Sequence, residues 1–353
     1  MANISQVRGA LLEEAVLYLL EKFGYETIDA FSTHRDASLR GGHSGLDVRG
    51  RGAWHQIDGL ASFKSSPAFM YPLRLMVEAK CYQEHRTVGI EVVRNAVGVL
   101  KDISENYFTV PSGGENVQVP RFNYHSAIFS TSGYTSGAID YALAHQVFLI
   151  QYENVPVIKP LIDAIMQFDE LCITKVGKNA IAEVRKKYRS AIREQFYEVD
   201  MQEFITDRGI ELIDGALIDS LSRIGGSYFG MLQGRWPLHL LTSQPLPALA
   251  FNSDTVHCHV TGYETGKWKF TPAEFQQNEN GWFELEFNLP EGIANLVAEN
   301  WGDREAVANI KQQHFSYIDL SGQIGNIRRN VRLELDQEWI NSYIQRLRRQ
   351  RRT

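Results

Sequence analysis

The sequence predicts an α/β fold in its first half, a mixed sheet with helical crossovers, followed by a helical connector and a mostly β C-terminal domain. Three observations carry this. Apolar residues recur at helical spacing in "GALLEEAVLYLLEKF" (9–23), and short runs with period-two alternation, "AWHQIDGLASF" (53–63) and "PLRLMVEAK" (72–80), are flanked by such helical stretches. Beyond Pro156 and Pro160 the strand-and-helix alternation stops. At 353 residues the chain exceeds one typical domain, and its 44% hydrophobic content is ordinary for a globular protein.

Leu11, Leu12, Ala15, Val16, Leu19, Leu20 and Phe23 fall on one stripe of the first helix, and Gly24 ends it. Residues 53–63 and 72–80 read as two strands joined by a Ser/Pro-containing turn, and 87–103 returns to helical spacing. "HSAIFS" (125–130) reads as a buried strand, 135–146 as a helix capped by Thr135 or Ser136, and "VFLIQY" (147–152) as a last strand. These elements make up a first domain, 1–155. Residues 156–220 read as the helical connector, with the basic stretch 178–196 inside it. From 221 to 353, short strands at 256–263, 281–289 and 331–336 and a closing Arg-rich helix indicate a mostly β domain whose role in targeting, sensing or partner binding has no motif to assign it. "IGGSYFG" (224–230) reads as a tight turn or a close strand approach.

Composition narrows the partners. A net charge of −6 excludes a protein that coats nucleic acid through its overall charge, leaving local basic patches and metal ions for any polyanion contact. No apolar run reaches the ~18 to 20 residues that span a bilayer, and the first residues lack a signal-peptide layout. Cys81, Cys172 and Cys258 are odd in number and far apart, as befits reduced thiols. A cytoplasmic protein without a membrane partner is expected.

The chemistry concentrates on "RLMVEAK". Side chains alternate along a strand, so Leu75, Val77 and Ala79 face the core while Met76, Glu78 and Lys80 face the other way. If 53–63 pairs beside it, Asp58 stands next to Glu78 and Lys80, with Gln56 on the same face and His55 turned away as a structural histidine. Two carboxylates this close repel, and burial adds to the cost. A divalent cation removes it: Mg²⁺, with Mn²⁺ as a substitute, would bind Asp58, Glu78 and the Ala79 carbonyl, leaving places for a phosphate oxygen and a water. Lys80 would orient that water or neutralise the phosphate.

The order Asp58, Glu78, Lys80 resembles the active site of the PD-(D/E)xK, or restriction-endonuclease-like, nucleases. Gly9, Glu13, Gly24 and Tyr25 are similar to the opening helix of the Mrr-like family, and "IFSTSGYTSGAIDYALAHQVFLI" (128–150) to that family's strand, turn, helix and final strand. The resemblance covers roughly residues 8 to 152. It implies a metal-dependent DNA endonuclease serving restriction or anti-phage defence, acting as a homo-oligomer and alongside a partner defence protein. A junction-resolving or repair nuclease, or a non-catalytic DNA- or protein-binding module, is the alternative.

Such sites often use a glutamate on the first helix. At ~100° per residue Glu13 lies roughly 105° from the centre of the apolar stripe and Glu14 about 155°, so Glu13 is expected as the fourth acid and metal ligand, and Glu14 as a solvated charge. A helix-end charge suited to the dipole is the other reading of Glu13. The family often carries Gly-x-Asp, matched by Gly45-Leu46-Asp47, which makes Asp47 the alternative first acid; spacing favours Asp58. Arg94 and Asn95 are candidates for phosphate contact, although a solvated helix face fits them equally.

Overall fold

In a computed structural model, residues 4–28, 32, 36–41, 45–63, 69–83, 85–106, 109–112, 114–118, 120–174, 177–194, 201–264 and 266–350 are described. Contacts divide the chain into two units, 1–223 and 224–353.

The first unit opens with α1 (Ile4–Phe23), whose Leu11, Leu12, Val16, Leu19 and Leu20 are fully buried. Gly24, at φ 107°, ends the helix by donating its N–H to Leu20 O at 3.1 Å, the left-handed stop that glycine adopts without strain. There follow β1 (Tyr25–Ile28), β2 (Leu39–Gly41), β3 (Leu46–Arg49), β4 (Trp54–Ile57), β5 (Gly59–Phe63), β6 (Leu73–Lys80), α2 (Ile90–Ser104), β7 (Thr109–Ser112), β8 (Glu115–Gln118), β9 (Asn123–Ser130), α3 (Ser136–His145) and β10 (Val147–Gln151). The main sheet has the order β1-β5-β6-β9-β10; β5 is antiparallel to β1 and β6, while β9 is parallel to β6 and β10. It is a mixed sheet flanked by helices. Gly59 meets the Leu17 side chain of α1, so α1 covers the face of Gly59 and its register partner Val77. The opposite face, with Ile128 beside Glu78, is covered by Val93, Ala96 and Val97 of α2 and Ala138 and Ala142 of α3.

Two expectations are corrected here. The single strand 53–63 is broken at Asp58: β4 belongs to a separate three-stranded sheet, β2-β3-β4, and only β5 joins the main sheet. Register explains the break. Gly59 is opposite Val77, and the Ala79 N–H that a continuing strand would meet is taken instead by the Asp58 carboxylate at 3.0 Å. The connector 156–220 contributes α4 (Lys159–Gln167), α5 (Lys178–Arg193), α6 (Met201–Phe204), α7 (Asp207–Leu212) and, after a π turn, α8 (Ile218–Ser222), all within the first unit, with α5 packed along α1.

The second unit is a seven-stranded sheet, β12-β11-β16-β17-β13-β14-β15, built from β11 (Gly226–Leu232), β12 (Trp236–Thr242), β13 (Thr255–Glu264), β14 (Lys267–Pro272), β15 (Leu285–Asn288), β16 (Tyr317–Ile324) and β17 (Ile327–Leu335). Three helices accompany it, α9 (Glu291–Asn300), α10 (Arg304–His314) and α11 (Gln337–Gln350). Its core holds Phe251, Trp268, Phe270 and Phe315, each fully buried. The "IGGSYFG" stretch is β11 and not a turn; its glycines serve close approach, since a Cβ on Gly230 would stand 2.5 Å from the Ile318 side chain.

Candidate functional site

The site forms where the chain crosses from β4 to β5. Asp58 occupies that crossing, and β6 brings Glu78 and Lys80 alongside. Lys80 Nζ lies 2.8 Å from Glu78 Oε1, which confirms that the two share a face, and both side chains are about three-quarters buried, at 25% and 24% exposure. One Asp58 oxygen accepts the Ala79 N–H. Because the N–H and C=O of a strand residue point to the same edge, the Ala79 carbonyl is directed to the Asp58 side as well.

Burial pushes the Asp58 carboxyl up to about 6; Lys80 and the Ala79 N–H hold it down, and the Glu78 charge adds to the rise. Burial acts against the Lys80 ammonium, yet Glu78 foremost and then Asp58 keep its pKa above the ordinary value. Lys80 therefore stays protonated at neutral pH, whereas Asp58 is the group poised near neutrality.

A cavity of about 70 Å³ opens on Asp58 and Glu78, walled by Gln56 from β4, Asn95 from α2 and Ser126 from β9. A water needs ~10–15 Å³ of such space, so several fit, as does an ion with part of its hydration shell. Gln56 and Asn95 thus both line the cavity. Arg94 does not; its guanidinium lies 5.6 Å from the Tyr141 ring on α3. His55 is structural, with Nε2 2.6 Å from Asp102 Oδ2, while Asp102 also accepts the Gly52 N–H at 3.0 Å. Asp47 sits in the three-stranded sheet, 3.0 Å from Arg40 Nε and in register with Gln56, and is not among the residues lining the cavity.

The first-helix glutamates depart most from expectation. Glu13 pairs with Arg185 of α5 and is not among the residues lining the cavity. Glu14, expected in water, is 1% exposed; Arg189 Nε lies 2.9 Å from it, and Arg185 and Arg193 each 3.6 Å. Burial raises the Glu14 pKa, and Arg189 and Arg193 oppose the rise. The missed signal is a row of arginines at i, i+4 and i+8 in α5, which share one helix face, opposite glutamates at 14 and 21 of α1.

Among the described residues no group of three or more His, Cys, Asp or Glu is arranged to hold a metal, and no helix is long and apolar enough to cross a membrane. No family model matches the chain, and no curated protein matches it. The crystal structure of AF1548, a protein of unknown function, is similar at 15% identity over 61% of this chain and 96% of that one, with a TM-score of 0.32.

Proposed function

We propose that the first unit is a metal-dependent DNA endonuclease of the restriction-endonuclease-like type, with Asp58, Glu78 and Lys80 as its working groups. The observation that carries this reading is the Asp58 carboxyl, raised to about 6, lining one cavity with Glu78, whose carboxylate is paired with Lys80. Carboxylates crowded this way lower their joint cost when a cation sits between them. The donor set suits Mg²⁺ or Mn²⁺: Asp58, Glu78 and the Ala79 carbonyl would supply hard oxygens, with waters completing the shell. When bound, such an ion supplies a Lewis acid for a phosphate oxygen and acidifies water.

The remaining work falls to the chain. Lys80, fixed by Glu78 at 2.8 Å, can orient the attacking water or neutralise charge gathering on the phosphate. Asp58 must be ionised to ligate the ion, so ion binding displaces its proton and affinity for the ion should fall as pH drops below about 6. The side-chain amides of Gln56 and Asn95 can hold a water or a phosphate oxygen. Restriction or anti-phage defence is the setting that the resemblance suggests, with oligomerisation supplying paired sites for double-strand cutting and residues 224–353 gating or targeting it.

One observation favours a second reading, a DNA- or protein-binding module on the same framework. Lys80 and the Ala79 N–H already balance the carboxylates without an ion. The deciding experiment incubates the purified full chain and its Asp58→Ala and Lys80→Ala variants with duplex DNA in Mg²⁺, Mn²⁺ or Ca²⁺. Cleavage in the first two ions, none in Ca²⁺ and none by either variant is the expected result. A Lys80→Ala protein that cuts as fast as wild type would make Lys80 structural, and a wild type that binds DNA without cutting it would favour the second reading.

A further inference from the structure

We propose that the outer face of the β2-β3-β4 sheet is a phosphate-binding platform on which Arg40, laid on Trp54 and tethered by Asp47, grips a nucleic-acid backbone beside the Asp58–Glu78 cavity. The inference rests on the nuclease reading and names how that site holds its substrate.

Register builds the platform. Arg40 is opposite Asp47 and Asp47 opposite Gln56, so the three side chains form one row across the sheet, with Trp54 on the same face two residues from Gln56. The other face carries Leu39, Leu46, Val48 and Ile57 into a core cluster. The outer face is therefore the polar one, and Gln56 ties it to the cavity, because the same side chain lines both.

The Arg40 guanidinium carbon lies 4.2 Å from the Trp54 ring centroid, and Nε is 3.0 Å from Asp47 Oδ2, while the side chain stays 54% exposed. The Asp47 carboxylate is mostly covered, at 17% exposure, but a pair whose cation is open to water adds only modestly to stability. What it does is fix a long, flexible cation in one orientation. Asp47 takes the Nε–H and the ring holds the guanidinium plane, leaving the terminal amino groups to face a ligand with their rotamer freedom already lost. A planar fork of N–H donors matches two oxygens of a phosphodiester, a geometry that a lysine cannot reproduce. The aromatic face is already covered by the arginine, which favours a backbone phosphate over a stacked base as the occupant.

Two strand spacings separate Arg40 from Gln56, about 10 Å, and Asp58 is two residues further along, about 7 Å. The two offsets together, about 12 Å, put Arg40 at a backbone phosphate roughly two positions from the one at the carboxylates. Asp47, the alternative first acid, becomes in this arrangement a positioning residue for Arg40.

The test is binding of a short DNA duplex to the full-length protein without divalent ion, read by fluorescence anisotropy over a range of salt concentrations. Arg40→Ala should weaken binding about tenfold for any duplex sequence and lower the slope of log affinity against log salt by about 0.9. Arg40→Lys should fall between it and wild type, keeping the slope while losing affinity. Arg40 is on the surface, and circular dichroism will confirm that both variants fold. Wild-type affinity and slope in Arg40→Ala would overturn the platform and leave the nuclease reading standing, provided that the wild type still cuts DNA. A wild type that neither binds nor cuts DNA would overturn both.

Discussion

Replacing Asp58 with asparagine should abolish cleavage and at the same time stabilise the first unit at neutral pH. The amide is isosteric, and its oxygen can still accept the Ala79 N–H, now at 3.0 Å from the carboxylate. What it removes is a group whose pKa rises from 3.8 to about 6 on folding. Because the folded pKa is the higher, the folded state keeps a proton between pH 4 and 6 that the unfolded chain has released, and stability falls as pH rises through that window. At ~1.36 kcal/mol per unit the full shift corresponds to about 3 kcal/mol, and because Asp58 as a residue is only half-buried this is discounted to roughly 1–2 kcal/mol. The amide never bears the charge, so Asp58→Asn should exceed wild type by that amount at pH 8 and match it at pH 4. Urea unfolding of the full chain, followed by hydrogen exchange at β6 amides, reads the first unit separately from the second. Mg²⁺ at a hundred times its dissociation constant should add ~2.7 kcal/mol to the wild type and nothing to the variant. A variant equally destabilised at both pH values would refute the reasoning, since the charge would then not be the source of the cost.

Arg189→Ala should destabilise the first unit by about 1.5–3 kcal/mol, because Glu14 loses its closest charge-assisted hydrogen bond while Arg185 and Arg193 stay 3.6 Å away, and a urea melt with Glu14→Gln as companion measures how much of this the buried charge causes. Because α5 lies along α1, a fragment ending at residue 155 should aggregate or unfold, while 1–223 should give a cooperative transition in calorimetry. His55→Ala should leave the fold intact but lower stability by roughly 1–2 kcal/mol through loss of the 2.6 Å contact to Asp102, with cleavage of DNA per folded molecule unchanged.

What the sequence revealed depended on range. Alternation along "RLMVEAK" was enough to set Glu78 and Lys80 on one face and Val77 on the other, since period two is a local property. The apolar stripe of α1 was equally local. The break at Asp58 was not, because 53–63 carries a continuous strand pattern and only the competition of the carboxylate for the Ala79 N–H interrupts the ladder. Glu14 was misread for a similar reason: its angle from the apolar stripe is that of a surface charge, and its partner lies 175 residues along the chain. The order of the seven strands in the second unit likewise rests on contacts distant in sequence.

The buried pairing of Glu14 with Arg189 has a consequence for the chain's history. Losing either partner alone breaks the closest contact of a buried charge cluster that also holds Arg185 and Arg193, whereas replacing both with apolar residues of similar volume disturbs it less. The route between those two states passes through a variant less fit than either. Natural variation at positions 14 and 189 should therefore be correlated, with lineages holding both charges or neither, and an engineer wishing to swap α5 between related proteins must transplant the facing acids of α1 with it.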